Sequence, residues 1–422
     1  MKTSETMGKL TRVLWNAASL VLFRIGADAA LLLFYLLLSR RFGAHGLGLY
    51  AYGMALSGLA FALPGYGFAT FLIRAGSASD QAYRELWPPL RRLAIYGLLA
   101  AALLIVLSAS WLPAEERLAL LIIAAGQFFY FAAEIYRAPF SVAERIGGIA
   151  HAELIYKGLI AAVGGSLLLL GAGLPVALGI FPLAGLSYLL FVVRASRPLQ
   201  PARVERPVTL GAAFRASLPF FATVIVETPM YRQYPVLLVW FSGAATSGVF
   251  GAAFKPVEAG LLCLGYLNVA LLPTLTRAGA ADRRGHGRLF FQSLLIVAVT
   301  SMTGAALGVW LAPQFVDMLF GPRFAGAIPV LRILCLALVL ASLKEVMITG
   351  LGAFNRINSW TAVQAVTLGT GFAGALSLVP CFGAIGAALA LCGGEFAGCA
   401  TAAVCLRVAF AAEAGVLVER ES

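Results

Sequence analysis

Charged side chains are scarce in this chain of 422 residues. They make up 12% of the sequence, about half of the roughly 25% that is usual in soluble domains. Hydrophobic residues make up 61% and gather in long runs interrupted by glycine, proline or charge. So little charge cannot cover a water-exposed surface. The composition therefore excludes an ordinary soluble protein and predicts an all-α polytopic membrane protein.

The basic excess has no soluble surface on which to cluster. Lysine and arginine outnumber aspartate and glutamate by 31 to 19, which gives a net charge of +12. Nucleic-acid binding requires basic residues that share one soluble face, and no segment of this sequence is polar enough to form such a domain. We therefore predict no nucleic-acid partner, and we interpret the basic residues as topology signals.

Motifs for metal binding, disulfide bonding and catalysis are also missing. The six cysteines lie in apolar segments of the second half and form no CxxC pair, and the three histidines stand alone in sequence. The sequence has no P-loop, no DxD motif and no large external loop. It predicts no metal site, no cofactor and no enzymatic activity.

Twelve apolar segments are long enough to cross a bilayer core of about 30 Å as helices. They lie at 13–39, 48–73, 93–112, 118–140, 150–170, 174–193, 214–241, 247–275, 289–312, 326–352, 359–379 and 384–410. The longest polar interruption contains three prolines and separates the first six segments from the last six. We predict an N-terminal six-helix lobe at 1–193, a cytoplasmic linker at 194–213, a C-terminal six-helix lobe at 214–410 and a cytoplasmic tail at 411–422.

The distribution of lysine and arginine predicts the orientation of these helices. Short cytoplasmic loops retain positive charge, and most basic residues fall in loops on the same side as the two termini. The loops on the opposite side carry only Arg40, Arg41, Arg117 and Arg323. Both termini are therefore predicted to be cytoplasmic.

A short motif occurs once in each half. Gly43–Tyr50, with the sequence GAHGLGLY, is matched at an offset of 200 residues by Gly243–Phe250, with the sequence GAATSGVF. Two glycines and an aromatic residue coincide, and both copies connect the first and second apolar segments of their half. A repeat with an even number of spans predicts two lobes of the same orientation, related by an axis along the membrane normal.

Several segments resemble a known family. Ser39–Gly43 (SRRFG), Gly46–Ala51 (GLGLYA) and Leu63–Gly67 (LPGYG) resemble the N-terminal signature of Wzx-type polysaccharide-biosynthesis flippases. This is a branch of the multidrug/oligosaccharidyl-lipid/polysaccharide (MOP) exporter superfamily. Similar likenesses continue at Gly248–Lys255, Leu271–Leu275, Leu319–Phe324, Val330–Leu334 and Gly383–Ala388.

The resemblance implies two six-helix lobes around a central, partly hydrated lumen that opens alternately to either side of the membrane. The implied cargo is an undecaprenyl-diphosphate-linked oligosaccharide, moved from the cytoplasmic to the outer leaflet for O-antigen or other surface polysaccharides. Membrane lipid, glycosyltransferases and a polysaccharide polymerase are the implied partners. A diphosphate and a sugar cannot cross hydrocarbon unaided, so such a carrier needs cations and hydrogen-bonding groups in its interior.

Ionisable residues within the spans are therefore the candidate site residues. Many form close pairs, and mutual neutralisation of such pairs is the structural alternative. The pairs are Glu153 with Lys157 and Arg24 with Asp28 at i,i+4, Lys255 with Glu258 at i,i+3, Glu227 with Arg232 on either side of Pro229, and Lys344 with the adjacent Glu345. The functional interpretation assigns diphosphate or acidic-sugar binding to Arg24, Arg232, Lys255 and Arg332. It assigns binding of a coupling proton or sodium ion to Asp28, Glu227 and Glu258.

Three other functions stay open at this stage. A membrane glycosyltransferase or polysaccharide polymerase would also handle polyprenyl-linked sugars, but the short external loops disfavour it. A cation-coupled multidrug exporter of the same superfamily would favour carboxylates over intramembrane bases. A peptidoglycan-precursor flippase is the closest alternative, although such proteins usually carry two further helices.

Overall fold

A computed structural model of the chain is all-helical over the residues that it describes. Their backbone covers 2–143, 145, 147–201, 208–281, 283–353 and 356–421. Within these ranges, the side chains of 2–24, 148, 222–223, 263–281, 283–287, 353, 357 and 411–421 are outside the description.

The described residues before 228 form nine α-helices. They are α1 (Lys2–Ala62), α2 (Phe68–Ala78), α3 (Asp80–Ala109), α4 (Ala114–Val142), α5 (Gly147–Leu159), α6 (Gly165–Leu169), α7 (Leu174–Leu178), α8 (Ile180–Ser196) and α9 (Leu210–Glu227). Two π-helical turns, at Leu63–Gly67 and Ile160–Gly164, join α1 to α2 and α5 to α6.

The part of the chain described after residue 228 forms five more α-helices. They are α10 (Pro229–Ser242), α11 (Ala244–Ala281), α12 (Arg283–Phe320), α13 (Ala327–Ala353) and α14 (Ile357–Glu421). Short 3₁₀ turns lie at Arg197–Leu199 and Pro322–Phe324. The predicted seventh span is divided between α9 and α10, whose first residue is Pro229, and proline is favoured in the first turn of a helix.

Eight stretches of the described residues are long and apolar enough to cross a membrane, so the chain is a multi-pass membrane protein. Two of them, Ile25–Ala78 and Asn358–Phe410, contain 54 and 53 residues. At a rise of about 1.5 Å per residue, each is more than twice as long as a bilayer core of about 30 Å. They are interrupted at Gly43 (φ 63°) and Gly383 (φ 55°), which adopt the left-handed backbone that glycine tolerates best. Each stretch therefore has the length of two crossings, as the sequence predicts.

Residue contacts divide the chain into two units. The N-terminal unit contains Met1–Phe42 and Tyr52–Thr228, and the C-terminal unit contains Gly43–Ala51 and Pro229–Ser422. The predicted linker at 194–213 contains the end of α8 and the start of α9, and its residues 202–207 lie outside the described part of the chain. The linker and lobe boundaries stay predictions.

Each unit has an apolar core of its own. In the N-terminal unit, α2, α3 and α4 contribute Phe68, Trp87 and Ile135 to one cluster of buried side chains. In the C-terminal unit, α12 and α13 contribute Phe290 and Leu351 to another, in which buried residues of α14 also take part. The second core joins α13 to α14, the helices that carry Lys344 and Glu395.

The two copies of the repeated motif cross closely within the C-terminal unit. Gly43 (φ 63°) and Gly243 (φ 85°) both have positive φ. A Cβ atom added to Gly48 would overlap the carbonyl oxygen of Ala244, and one added to Gly248 would overlap the carbonyl oxygen of Ala44. The contacts are reciprocal, so the sequence repeat corresponds to a repeat of backbone geometry, and glycine is required where the two helices meet.

Candidate functional site

A lysine bridges two carboxylates in the N-terminal unit. Lys157 Nζ lies 2.6 Å from Asp28 Oδ1 on α1 and 3.1 Å from Glu153 Oε1 on α5. The side chains of Lys157 and Glu153 are 13% and 12% exposed, and that of Asp28 is 35% exposed. The i,i+4 spacing places Glu153 and Lys157 on one face of α5, and the packing of α1 beside α5 brings in the second acid.

Three tyrosines form a second group in the same unit. The ring centroids of Tyr130, Tyr156 and Tyr188 lie 5.3, 5.4 and 5.5 Å apart. The hydroxyl group of Tyr188 is buried and has no hydrogen-bond partner among the residues described. On α4, Arg137 donates to Glu134 at 2.7 Å. The group therefore combines aromatic faces, a buried phenol and a charge-assisted hydrogen bond.

The C-terminal unit contains the most deeply buried charges described. Lys344 on α13 and Glu395 on α14 have side chains that are 1% and 2% exposed, and their charged atoms lie 2.8 Å apart. Glu345 Oε1 lies 3.8 Å from the same ammonium group. The hydroxyl group of Tyr231 on α10 donates to the other oxygen of Glu395 at 3.0 Å. Side chains from three helices therefore converge on this one ion pair, which we call the Lys344 cluster.

Another ion pair lies on α11. Lys255 Nζ donates to Glu258 Oε2 at 2.6 Å, and the two side chains are 29% and 47% exposed. The i,i+3 spacing brings the two groups to the same helix face. This pair is more accessible than the Lys344 cluster, so its lysine can exchange its carboxylate for another anion at a lower desolvation cost.

Solved structures of transporters share this arrangement of helices. The chain matches a lipid II flippase MurJ in an inward closed conformation with a TM-score of 0.76 and 13% identity, over 92% of this chain and 87% of that one. It matches a multidrug resistance MATE family transporter of the MOP superfamily, in an inward-facing conformation, with a TM-score of 0.67 and 14% identity, over 92% and 95%. A MOP superfamily transporter from Pyrococcus furiosus matches with a TM-score of 0.56 and 13% identity, over 90% and 93%. The chain has the MOP transporter fold.

This likeness is one of structure. No family model matches the chain, and no curated protein matches it in sequence. The predicted all-helical, two-lobed fold class is confirmed. The Wzx-type branch is not confirmed, because the neighbours with the MOP fold are named as a lipid II flippase and as multidrug transporters.

Asp28 and Glu258, which were predicted as ion-coupling residues, lie in ion pairs. Asp28 is held by Lys157 and Glu258 is held by Lys255. Glu227 is the last residue of α9 and its side chain is exposed. Their roles in coupling stay predictions.

The four predicted substrate-binding cations occupy different environments. Arg232 on α10 and Lys255 on α11 are half-buried, whereas Arg332 on α13 is exposed. Arg24 lies on α1, outside the residues whose side chains are described. Their contact with cargo stays a prediction.

The sequence indicated the partners of Lys157 and Lys344 on their own helices, but it did not indicate the carboxylates on other helices that lie closer to them. For Lys344 it suggested the adjacent Glu345, whereas the shorter contact is to Glu395. For Asp28 it suggested a residue on the same helix, whereas a described partner is Lys157 on α5. Intrahelical spacing was the only available signal, and it does not report partners on other helices.

Proposed function

We propose that the protein is a flippase, rather than an enzyme, and that it moves a polyprenyl-diphosphate-linked oligosaccharide between the leaflets of a bacterial inner membrane by alternating access. The observation that carries this proposal is the match to a lipid II flippase over 92% of the chain at a TM-score of 0.76. Lipid II is itself a lipid-linked sugar, so the substrate named for that structure is chemically similar to the cargo suggested by the motifs.

The intramembrane charges support a polar lipid-linked cargo. Ionisable residues within spans are costly and mark substrate or ion pathways, and both units contain them. Lys255 is one of the predicted diphosphate ligands, and its side chain is 29% exposed. It is more accessible than Lys157 and Lys344, the other lysines in the ion pairs described above. A proton or sodium gradient is the proposed energy source.

A transport assay tests this proposal directly. Purified protein is reconstituted with a fluorescent polyprenyl-diphosphate oligosaccharide, and a membrane-impermeant quencher then reports the label that reaches the outer leaflet. We expect the wild-type protein to make inner-leaflet label accessible, whereas protein-free vesicles should quench only their outer leaflet. No difference between them would refute the flippase assignment for this cargo.

Lys255→Ala should slow this transport about tenfold, because a hydrogen bond to a charged group contributes about 1.5–3 kcal/mol. Arg84→Ala is the matched control, because Arg84 forms a similar pair with Asp80 on exposed α3 positions, where both side chains are at least half exposed. Equal rates for Lys255→Ala and the wild type, at equal protein content, would contradict a role of Lys255 in cargo binding.

A lipid II flippase is the second candidate, favoured by the same structural match. The same assay with fluorescent lipid II separates the two, since the proposed cargo should be moved faster than lipid II by the wild-type protein. Rescue of cells depleted of their lipid II flippase would favour the second candidate. A multidrug exporter would instead lower drug susceptibility without moving either lipid.

The proposed orientation places both termini in the cytoplasm. Single cysteines at positions 206 and 323, in a variant without the native cysteines, should react with an impermeant maleimide from opposite sides of the membrane. Position 206 falls in the predicted linker, and Arg323 lies in the exposed turn between α12 and α13. Labelling of both positions from the same side would refute this topology.

A further inference from the structure

In the Lys344 cluster, the ammonium group of Lys344 lies near the carboxylates of Glu345 on α13 and Glu395 on α14. Lys344 Nζ lies 2.8 Å from Glu395 Oε2 and 3.8 Å from Glu345 Oε1. The second oxygen of Glu395 accepts the hydrogen bond from Tyr231 at 3.0 Å. Glu395 Oε1 therefore has a hydrogen-bond donor, whereas the buried Oε2 makes no hydrogen bond with the described residues and is compensated by the ammonium charge of Lys344. A buried carboxylate requires such a counter-charge, because an uncompensated charge is costly away from water.

The surrounding helices are shaped to admit this lysine. A Cβ atom added to Gly398 on α14 would lie 2.8 Å from Lys344 Cδ and would overlap the hydroxyl oxygen of Thr367. The absent side chain at Gly398 therefore provides the space through which the aliphatic part of Lys344 runs. Lys344 is 1% exposed, so its ammonium group is buried in the protein interior and does not reach the surface.

The position of this ammonium group is the position that a small cation would take. Hard cations bind where carboxylate, hydroxyl and amide oxygens converge. Here two carboxylates converge, with the hydroxyl group of Tyr231 and the side chain of Gln364 beside them. A lysine ammonium differs from a bound cation in being covalently attached, so it cannot exchange with the solvent.

We propose that Lys344 serves as a built-in counter-cation, which fills a latent alkali-cation site formed by Glu345 and Glu395. In the wild-type protein this cluster therefore binds no sodium, and any sodium coupling would have to use another site. Replacement of the lysine by an uncharged residue of similar length changes the formal charge of these three side chains from −1 to −2 and leaves the carboxylates available to sodium. This inference concerns the cluster alone and does not depend on the identity of the cargo.

Thermal unfolding of the purified full-length protein in detergent provides the test. Melting temperatures are compared in sodium chloride and in choline chloride at equal ionic strength. The difference between the two salts for the wild-type protein is the baseline, because sodium bound at any other site affects all variants. For Lys344→Met we expect a lower value in choline and an increase in sodium that exceeds this baseline by about 3 °C or more, because a cation that binds only the folded state raises the melting temperature with its concentration.

Removal of an acid is the matched control. The double variant Lys344→Met with Glu395→Gln lacks one carboxylate of the latent site, so its sodium response should not exceed that of the wild-type protein. A Lys344→Met protein whose sodium response is no larger than that of the wild type would refute the proposal, as would a double variant that keeps the enlarged response. If Lys344→Met is too unstable in choline, its recovery as a monodisperse species in sodium alone supports the proposal, whereas failure to recover it in either salt contradicts it.

Discussion

Replacement of Lys157 by methionine is expected to destabilise the protein by about 3 kcal/mol, because removal of one member of a buried ion pair leaves an uncompensated charge that costs about 3–5 kcal/mol. The lysine lies between two acids, Asp28 and Glu153, at 2.6 and 3.1 Å. Asp28 is partly exposed, at 35%, so water compensates part of its charge and the lower end of the range applies. Thermal unfolding in detergent measures the loss.

Two comparisons show whether charge compensation is the cause. Arg84→Met breaks a pair of the same length, 2.6 Å, whose side chains are 51% and 71% exposed, and it should cost less than about 1 kcal/mol. Adding Glu153→Gln and Asp28→Asn to Lys157→Met removes the two unpaired charges, so much of the lost stability should return. If the triple variant is as unstable as Lys157→Met alone, lost packing of the lysine is responsible instead.

The pairs that the sequence predicted correctly are those within one helix. Glu153 with Lys157 and Lys255 with Glu258 follow from the helical repeat alone, since residues three or four apart share a face. The partnership of Lys344 with Glu395 depends on how α13 packs against α14. Nothing in the spacing of these residues reports that packing, because it is determined by side-chain volumes and glycine positions along both helices.

The membrane spans were predictable for a similar reason. Length and hydropathy are local properties, so Ala327–Gly352 coincides with the span predicted at 326–352. The stretch Asp80–Ala109 contains most of the span predicted at 93–112 but begins earlier, in a segment predicted as a loop. The assignment of Gly43–Ala51 to the C-terminal unit was not predictable. It results from tertiary contacts of a segment that belongs to the first half in sequence, and only the repeated motif at Gly243–Phe250 indicated a relation between them.

The crossing of these repeated segments gives the second large expected effect. Gly48→Ala should cost about 3 kcal/mol, the upper part of the range of about 1–3 kcal/mol for overpacking, because its Cβ atom would overlap a backbone oxygen, that of Ala244. A flexible side chain could rotate away, but a carbonyl group in a helix can move only with the helix. Gly248→Ala should cost a similar amount through its overlap with Ala44. Thermal unfolding and the yield of monodisperse protein measure both losses.

A glycine without close neighbours provides the control. Gly304 lies within α12, and an added Cβ atom would meet nothing within 4 Å. Gly304→Ala should be neutral or stabilising by up to about 1 kcal/mol, since alanine has the higher helix propensity. If Gly304→Ala lowered the stability as much as Gly48→Ala, the close contact at the crossing would not be the cause of the destabilisation at Gly48.

The double variant separates a shared crossing from two local defects. The overlaps at Gly48 and Gly248 are reciprocal, and the backbone nitrogen of each glycine lies 2.9 Å from the Cβ position of the other. One outward movement of the two helices therefore makes room for both methyl groups. The combined loss should be much smaller than the sum of the single losses, as expected for positions in contact. Additive losses would show that each glycine is needed for a separate reason, and the repeat would then have no common structural role.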